Sequence, residues 1–351
     1  MKIMRRQCLS LRFTIFALIF GLATSVADAE TSRPHVMGWI PAYGLEKSMH
    51  ALQRNPHVAL GLTRVGLQFW NPSADGQSVI LVPVNKEGKK LREAEVRRVV
   101  AWLKARKISV LLTVYNNSQV MKHWDWDLAR RAFKDHPEKF SAALLAAMQR
   151  YDLDGIDLDL EGEGDFEVDR SAYAKFVADL SRALKKQNKL LTVDSFHSPC
   201  ANAPNMAWWS DWLGQVDAIH SMGYQDLYEG SIANFTPTDK PVCEAGAAIF
   251  KYSWQLNYAK KAGYRVDQIL MGMPTWLDNW GQGGRGSSIS AHLQELKDLG
   301  AGIALWDLQL GGPNWRSAQT WTEIRALREA KTLLKPEVKS DSSMKLKTSS
   351  P

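Results

Sequence analysis

Asp154-Gly155-Ile156-Asp157-Leu158-Asp159-Leu160-Glu161 places four carboxylates within eight residues and an aliphatic residue in each of the last gaps. Asp157, Asp159 and Glu161 are spaced two apart, so on a strand they share one face while Ile156, Leu158 and Leu160 share the other. A helix would scatter the same residues and leave no coherent apolar stripe. The strand reading sets three acids side by side, roughly 7 Å apart by the two-residue repeat. Like charges that close oppose one another's ionisation. An acidic outer face on an exposed edge strand is one explanation, but the neighbouring strand candidates are apolar runs of the kind buried on both faces. A calcium loop is another, but it needs Gly and polar spacers that bend the chain around the ion. Leu and Ile spacers favour an extended chain, which leaves a catalytic acid cluster.

The stretch resembles the DxxDxDxE signature of glycoside hydrolase family 18, the chitinases and related endo-β-N-acetylglucosaminidases, with Asp154, Asp157, Asp159 and Glu161 at the four acidic positions. The resemblance implies that the motif lies on the fourth strand of a (β/α)8 barrel and that Glu161 is the general acid.

Strand-length apolar runs alternate with amphipathic stretches along the rest of the 351 residues, as βα units do. Strands are expected near Val36–Ile40, Thr63–Phe69, Ser109–Tyr115, Gly155–Leu160, Leu190–Asp194, Val216–Met222, Ile269–Met273 and Gly302–Trp306. Helices are expected at Glu93–Ala105, Lys139–Tyr151, Arg170–Lys186, Glu244–Ala262, Ile289–Leu299 and Ala318–Lys331. Eight strands favour one closed TIM barrel over an open doubly wound sheet, and no glycine-rich phosphate loop follows any strand. In such a barrel Glu161 stands at the catalytic rim and Asp157 lies deepest, where it is expected to share a proton with Asp159.

The chain divides into three parts. Lys2, Arg5, Arg6 and Arg12 precede the apolar run Phe13–Ala23, and Ala27-Asp28-Ala29 supplies small residues for cleavage, so residues 1–29 read as a secretory signal peptide. Their removal lowers the net charge from +7 to about +4. Residues 30–335 form the single barrel domain, and residues 336–351 form a polar tail expected to be disordered. The mature protein is expected outside the cytoplasm, secreted or periplasmic, with no integral membrane association and as a monomer. It lacks a basic, aromatic-interleaved patch for nucleic acid. Cys200 and Cys243 remain after cleavage, an even pair that is a disulfide candidate in an exported protein, with two independent thiols as the alternative.

Further along the chain, Met222-Gly223-Tyr224-Gln225 resembles the family's M-x-Y-[DN] element, which implies that the Tyr224 hydroxyl binds an N-acetyl group; Gln225 departs from the usual Asp or Asn. Gly302–Trp306 is similar to the family's last strand, which implies that Trp306 floors the subsite of the reacting sugar. Thr113-Val114-Tyr115-Asn116 stands where the family shows SxGG. Thr113 keeps a hydroxyl for the buried acids, while Tyr115 and Asn116 add bulk that either narrows the site or builds a different subsite. Among 14 Trp residues, Trp39, Trp70, Trp208, Trp209, Trp212, Trp276 and Trp280 are candidates for stacking on sugar. Substrate contact is expected from Trp306, Asp154, Tyr115, Gln225, Trp39 and Trp276.

The resemblance implies retention through substrate assistance, an exception to the two-carboxylate scheme. Glu161, Asp159, Asp157 and Tyr224 would carry catalysis on a glycan of β-1,4-linked N-acetylglucosamine: chitin, an N-glycan or peptidoglycan. A carbohydrate-binding barrel without activity is the alternative, and a hydrolase acting without an acetamido group is a third. No metal or cofactor is called for, since His123, His197, His220 and His292 show no ligand spacing.

Overall fold

A computed structural model describes residues 33–82, 89–118, 123–197, 202–224, 252–276 and 289–329. Eight parallel strands close into a barrel: β1 Val36–Pro41, β2 Arg64–Pro72, β3 Ser109–Tyr115, β4 Gly155–Asp159, β5 Leu190–Phe196, β6 Ala218–Met222, β7 Ile269–Pro274 and β8 Gly302–Trp306. Each pairs with the next, and β1 closes the ring by pairing with both β2 and β8. All eight expected strands are present, with ends displaced by at most three residues. The helices Glu93–Lys104, Pro137–Arg150, Arg170–Lys185, Ile289–Leu299 and Ala318–Glu329 also fall where the periodicity places them. Of the expected 244–262 helix, residues 252–262 are described, and Tyr252–Lys261 is helical. The signal segment, the tail, Cys200, Cys243, Gln225 and Trp280 lie outside them.

Two faces of each strand do different work. The outward residues join the surrounding helices in one large apolar cluster that includes Val65, Leu67, Val110, Leu112, Ile156, Leu158, Leu191, Val193, Ile219, Ile303 and Leu305. The inward face is apolar deep in the barrel, where Met37, Leu111, Ala218, Leu270 and Ala304 meet. Above that plug it becomes polar, because register sets Gln68, Thr113, Asp157 and Thr192 side by side across β2 to β5. Space there is tight. A Cβ on Gly66 would stand 2.5 Å from Thr113 Oγ1 and 2.6 Å from Trp39 Cδ1, so glycine is what lets those two side chains reach inward.

The tryptophans sort by face. Trp39 and Trp306 point into the barrel. Trp70, Trp208, Trp209 and Trp212 do not reach the cleft, contrary to expectation; they are buried in the outer layer. For Trp70 the cause is a register irregularity between Gln68 and Trp70, which breaks the two-residue alternation and turns the ring out onto Tyr151 at 5.6 Å. The other three lie on the 3-10 turn Met206–Trp212, where Trp208 and Trp212 pack on Tyr173, and Trp209 donates to Ser195 Oγ at 2.7 Å.

Elements that the periodicity did not reveal are short or polar. They include the helix Leu45–Arg54, the helix Pro56–Gly61, the strand Val79–Leu81 and a small hairpin, Asn117–Ser118 with His123–Trp124.

Candidate active site

A cleft of about 400 Å³ opens at the C-terminal ends of the strands, lined by Trp39, Gln68, Trp124, Asp159, Glu161, Asp194, Phe196, His197, Asn202, Met222, Tyr224, Trp276 and Trp306. Barrels of this class place their functional residues at this mouth. The acids of the octapeptide descend from it in order: Glu161 is 8% exposed, Asp159 3% and Asp157 0%.

Asp157 is held by donors from four other strands. Its Oδ2 accepts from Trp39 Nε1 at 2.9 Å and from Thr113 Oγ1 at 2.8 Å. Its Oδ1 accepts from Thr192 Oγ1 at 2.5 Å and faces His220 Nδ1 at 3.3 Å. Burial alone would raise this carboxyl, but His220, Thr192 and Trp39 outweigh it and hold it below the usual Asp value. The expected proton shared with Asp159 is therefore not what binds Asp157, because its oxygens are already occupied by donors.

Asp159 instead accepts from Gln68 Nε2 at 2.7 Å and contacts the carboxyls of Glu161 and Asp194. Burial pushes it up to about 7 against those hydrogen bonds, with the Asp157 charge adding to the rise. Glu161 is driven well above its ordinary range by burial and by the charge of Asp159. Asp194 is driven up by burial and then by Asp157, Asp159 and Glu161. Burial also raises the Tyr224 hydroxyl, so it stays protonated beside the acids.

Asn116 does not crowd the cleft. It is fully buried, and its side chain clamps the backbone of Glu161: Oδ1 accepts from Glu161 N at 2.8 Å while Nδ2 donates to Glu161 O at 2.7 Å. The same Nδ2 donates to Asp125 O at 2.9 Å. Glu161 lies two residues beyond the end of β4, so this clamp replaces the strand ladder that would otherwise fix it. Asn116→Ala is expected to lower kcat by about 10- to 100-fold with KM little changed, since a displacement of about 1 Å is that costly. Steady-state kinetics would check this, and an unchanged kcat would remove the clamp from the account.

Two expectations of substrate contact are corrected. Asp154 precedes β4 at the opposite end of the barrel, where its carboxylate accepts from Val110 N at 2.8 Å and faces Lys104 at 3.4 Å. Tyr115 is buried and does not line the cleft; Trp124, which does, stands edge-on to it at 6.2 Å. Trp39, Trp276, Trp306 and Tyr224 do meet at the cleft: Trp39 and Trp306 are 5.9 Å apart, and Tyr224 lies 6.4 Å from Trp276 and 6.5 Å from Trp306.

Gln68, Trp124, Asp194 and His220 were missed. For Gln68, Asp194 and His220 the signal was a polar residue in a largely buried strand. Asp157, Asp194 and His220 bring their polar atoms within 4.8 Å of one another, a donor set of metal-binding type. Those atoms are committed to hydrogen bonds among themselves and to Trp39, Thr113 and Thr192, so the cluster is a hydrogen-bond network.

Carboxyls driven up by burial beside one held down by hydrogen bonds give the divided acid chemistry that glycosidic-bond cleavage uses. With the barrel address, they define a glycosidase. More particularly, the chain belongs to glycosyl hydrolases family 18, whose model matches residues 105–343. No curated protein sequence matches it significantly. Its fold is similar to a chitinase from Chromobacterium violaceum, with a TM-score of 0.61 at 18% identity, covering 84% of this chain and 98% of that one. The spore cortex-lytic enzyme SleL of Bacillus cereus gives 0.60 at 14% identity, covering 84% and 75%. A mutant of catalytic domain 2 of the Ostrinia furnacalis group II chitinase, solved in complex with a chito-oligosaccharide, gives 0.60 at 15% identity, covering 85% and 97%.

Proposed function

We propose that the protein is an exported glycoside hydrolase that cleaves β-1,4-linked N-acetylglucosamine glycans with retention, using the substrate's own acetamido group as nucleophile. One observation carries the reading: Glu161, buried at the cleft rim with its carboxyl driven up by burial and by the Asp159 charge, lies beside Asp159, which accepts from Gln68. Glu161 donates its proton to the glycosidic oxygen. The 2-acetamido carbonyl oxygen attacks the anomeric carbon and closes an oxazolinium ring. Asp159 orients the acetamido N–H and balances the developing positive charge, while the Tyr224 hydroxyl donates to the carbonyl oxygen. Glu161, now a carboxylate, takes a proton from the water that opens the ring. Trp306 and Trp39 form the apolar floor on which the sugar stacks.

A two-carboxylate mechanism needs an ionised nucleophile. The other acid lining the cleft, Asp194, is buried and pushed well above the carboxylate range, so it is a poor nucleophile. The relatives by fold are a chitinase and a spore cortex-lytic enzyme, which supports chitin-like or peptidoglycan strands as the glycan. The basic, apolar start of the sequence supports export, and no helix among the described residues is long and apolar enough to cross a membrane.

Incubation with labelled N-acetylglucosamine oligomers, with the product anomer followed by NMR, tests the reading. The expected first product is the β-anomer, with no turnover of the deacetylated oligomer. Release of the α-anomer, or cleavage of the deacetylated oligomer, would sink the assisted mechanism. Binding without turnover would leave a carbohydrate-binding barrel.

A further inference from the structure

The steps above give no task to Asp194 or His220. Asp194 is 2% exposed on β5, and register pairs it with His220 on β6. Asp194 Oδ1 lies 2.6 Å from His220 Nδ1, the nitrogen that also faces Asp157. His220 Nε2 has no hydrogen-bond partner among the described residues, so the network places the ring proton on Nδ1, donating toward the carboxyls. On its other side Asp194 contacts Asp159, which also contacts Glu161. Two carboxyl groups hydrogen-bond only with a proton between them. The row Glu161, Asp159, Asp194 therefore holds two protons. Gln68 donates to the middle member, which makes Asp159 the common acceptor and the two outer acids its donors. Asp157 cannot supply a proton, since its oxygens are occupied by Trp39, Thr113, Thr192 and His220.

The geometry points to Asp194 as a positioning residue that works as a neutral acid, its carboxyl O–H donating to Asp159 and holding that group ionised and aimed at the cleft. The inference rests on the reading in which Asp159 orients the acetamido group. The titratable groups facing Asp194 are Asp157, Asp159 and Glu161 from β4 and its extension, His220 and Tyr224 from β6 and its end, and Tyr173 from the helix Arg170–Lys185. Burial and the three acids favour its protonated form. Only the Glu161 proton travels during the reaction, out to the leaving oxygen and back from water; the Asp194 proton stays where it is.

Asp194→Asn keeps a donor and no charge, so its kcat is expected within about threefold of wild type with the acid limb of the pH profile in place. Asp194→Val removes the donor. It is expected to lower kcat by about 30-fold or more and to move the acid limb upward, because Asp159 becomes harder to ionise, with KM little changed. An Asn variant as impaired as Val, or a Val variant like wild type, overturns the proposal; if Val fails to fold, the Asn variant decides alone. A readout independent of any glycan is infrared spectroscopy of protein carrying carboxyl-labelled aspartate, at a pH about two units above the Asp159 value so that Asp159 is ionised. A protonated-carboxyl band is expected in wild type and in Glu161→Gln, and lost in Asp194→Asn. No such loss overturns the role of Asp194 even if the enzyme turns over every glycan tried. The band without any turnover supports that role and sinks the proposed substrate.

Discussion

Glu161→Gln is expected to cost about 10²- to 10⁴-fold in kcat, the range of general acid catalysis, and at the same time to make the protein more stable in alkaline solution. Both effects come from one cause. Burial and the neighbouring Asp159 charge hold the Glu161 carboxyl well above the ordinary 4.5. A group raised on folding contributes stability that is fully present below its unfolded value and is lost as pH rises through the folded value. Glutamine stays neutral and still donates to Asp159, so the variant avoids that loss. Melting temperatures of the two proteins should run parallel below the ordinary Glu value and separate progressively as pH rises above it, with the variant gaining. A difference in melting temperature that does not vary with pH would contradict the protonated state of Glu161. A kcat within tenfold of wild type would remove it from the acid role.

Asp157→Asn is expected to be the most destabilising conservative change in the barrel, by about 3–5 kcal/mol. Each Asp157 oxygen faces two donors: Trp39 and Thr113 on one, Thr192 and His220 on the other. An amide in either orientation turns an N–H toward two of them. Here the pH dependence has the opposite sign. Although burial raises the carboxyl, the donors outweigh it and the folded value lies below the usual 3.8. Its contribution is present above the unfolded value and is lost as pH falls through the folded one. Urea denaturation should show the full deficit at neutral pH and a smaller one in acid, and a deficit under about 1 kcal/mol at neutral pH would disprove the four-donor account. The two substitutions, two strand pitches apart on one face, should thus tilt the stability profile in opposite directions.

How much of this was legible beforehand depended on whether alternation held. The octapeptide of β4 and the apolar runs of the other strands announced eight strands and their order, because strands buried on both faces leave little freedom in sequence. The depth order of Asp157, Asp159 and Glu161 followed from direction along the strand. Partners did not follow. Thr192 and Asp194 in Leu190–Phe196, and His220 in Ala218–Met222, sit at alternating positions that mark an inward face, but nothing in the chain tells which strand stands opposite. Trp70 was misplaced because one irregularity in β2 reverses the alternation locally. Asn116 looked like bulk at the mouth because a backbone clamp leaves no mark in sequence. Asp154 shares the motif with the catalytic acids and lies at the other end of the barrel, so membership of a motif is not membership of a site.

Trp39 does two jobs with one side chain: its ring faces the cleft, and its Nε1 holds Asp157. Such a residue is closed to gradual change. Any replacement that reshapes the floor for a different sugar also withdraws a donor from the deepest acid, and phenylalanine, the nearest aromatic, has none to offer. Diversification of substrate must therefore run through the upper rim, where Trp124 and Trp276 can be exchanged without disturbing the charge beneath. The floor is conservative by chemistry and the roof is free to drift.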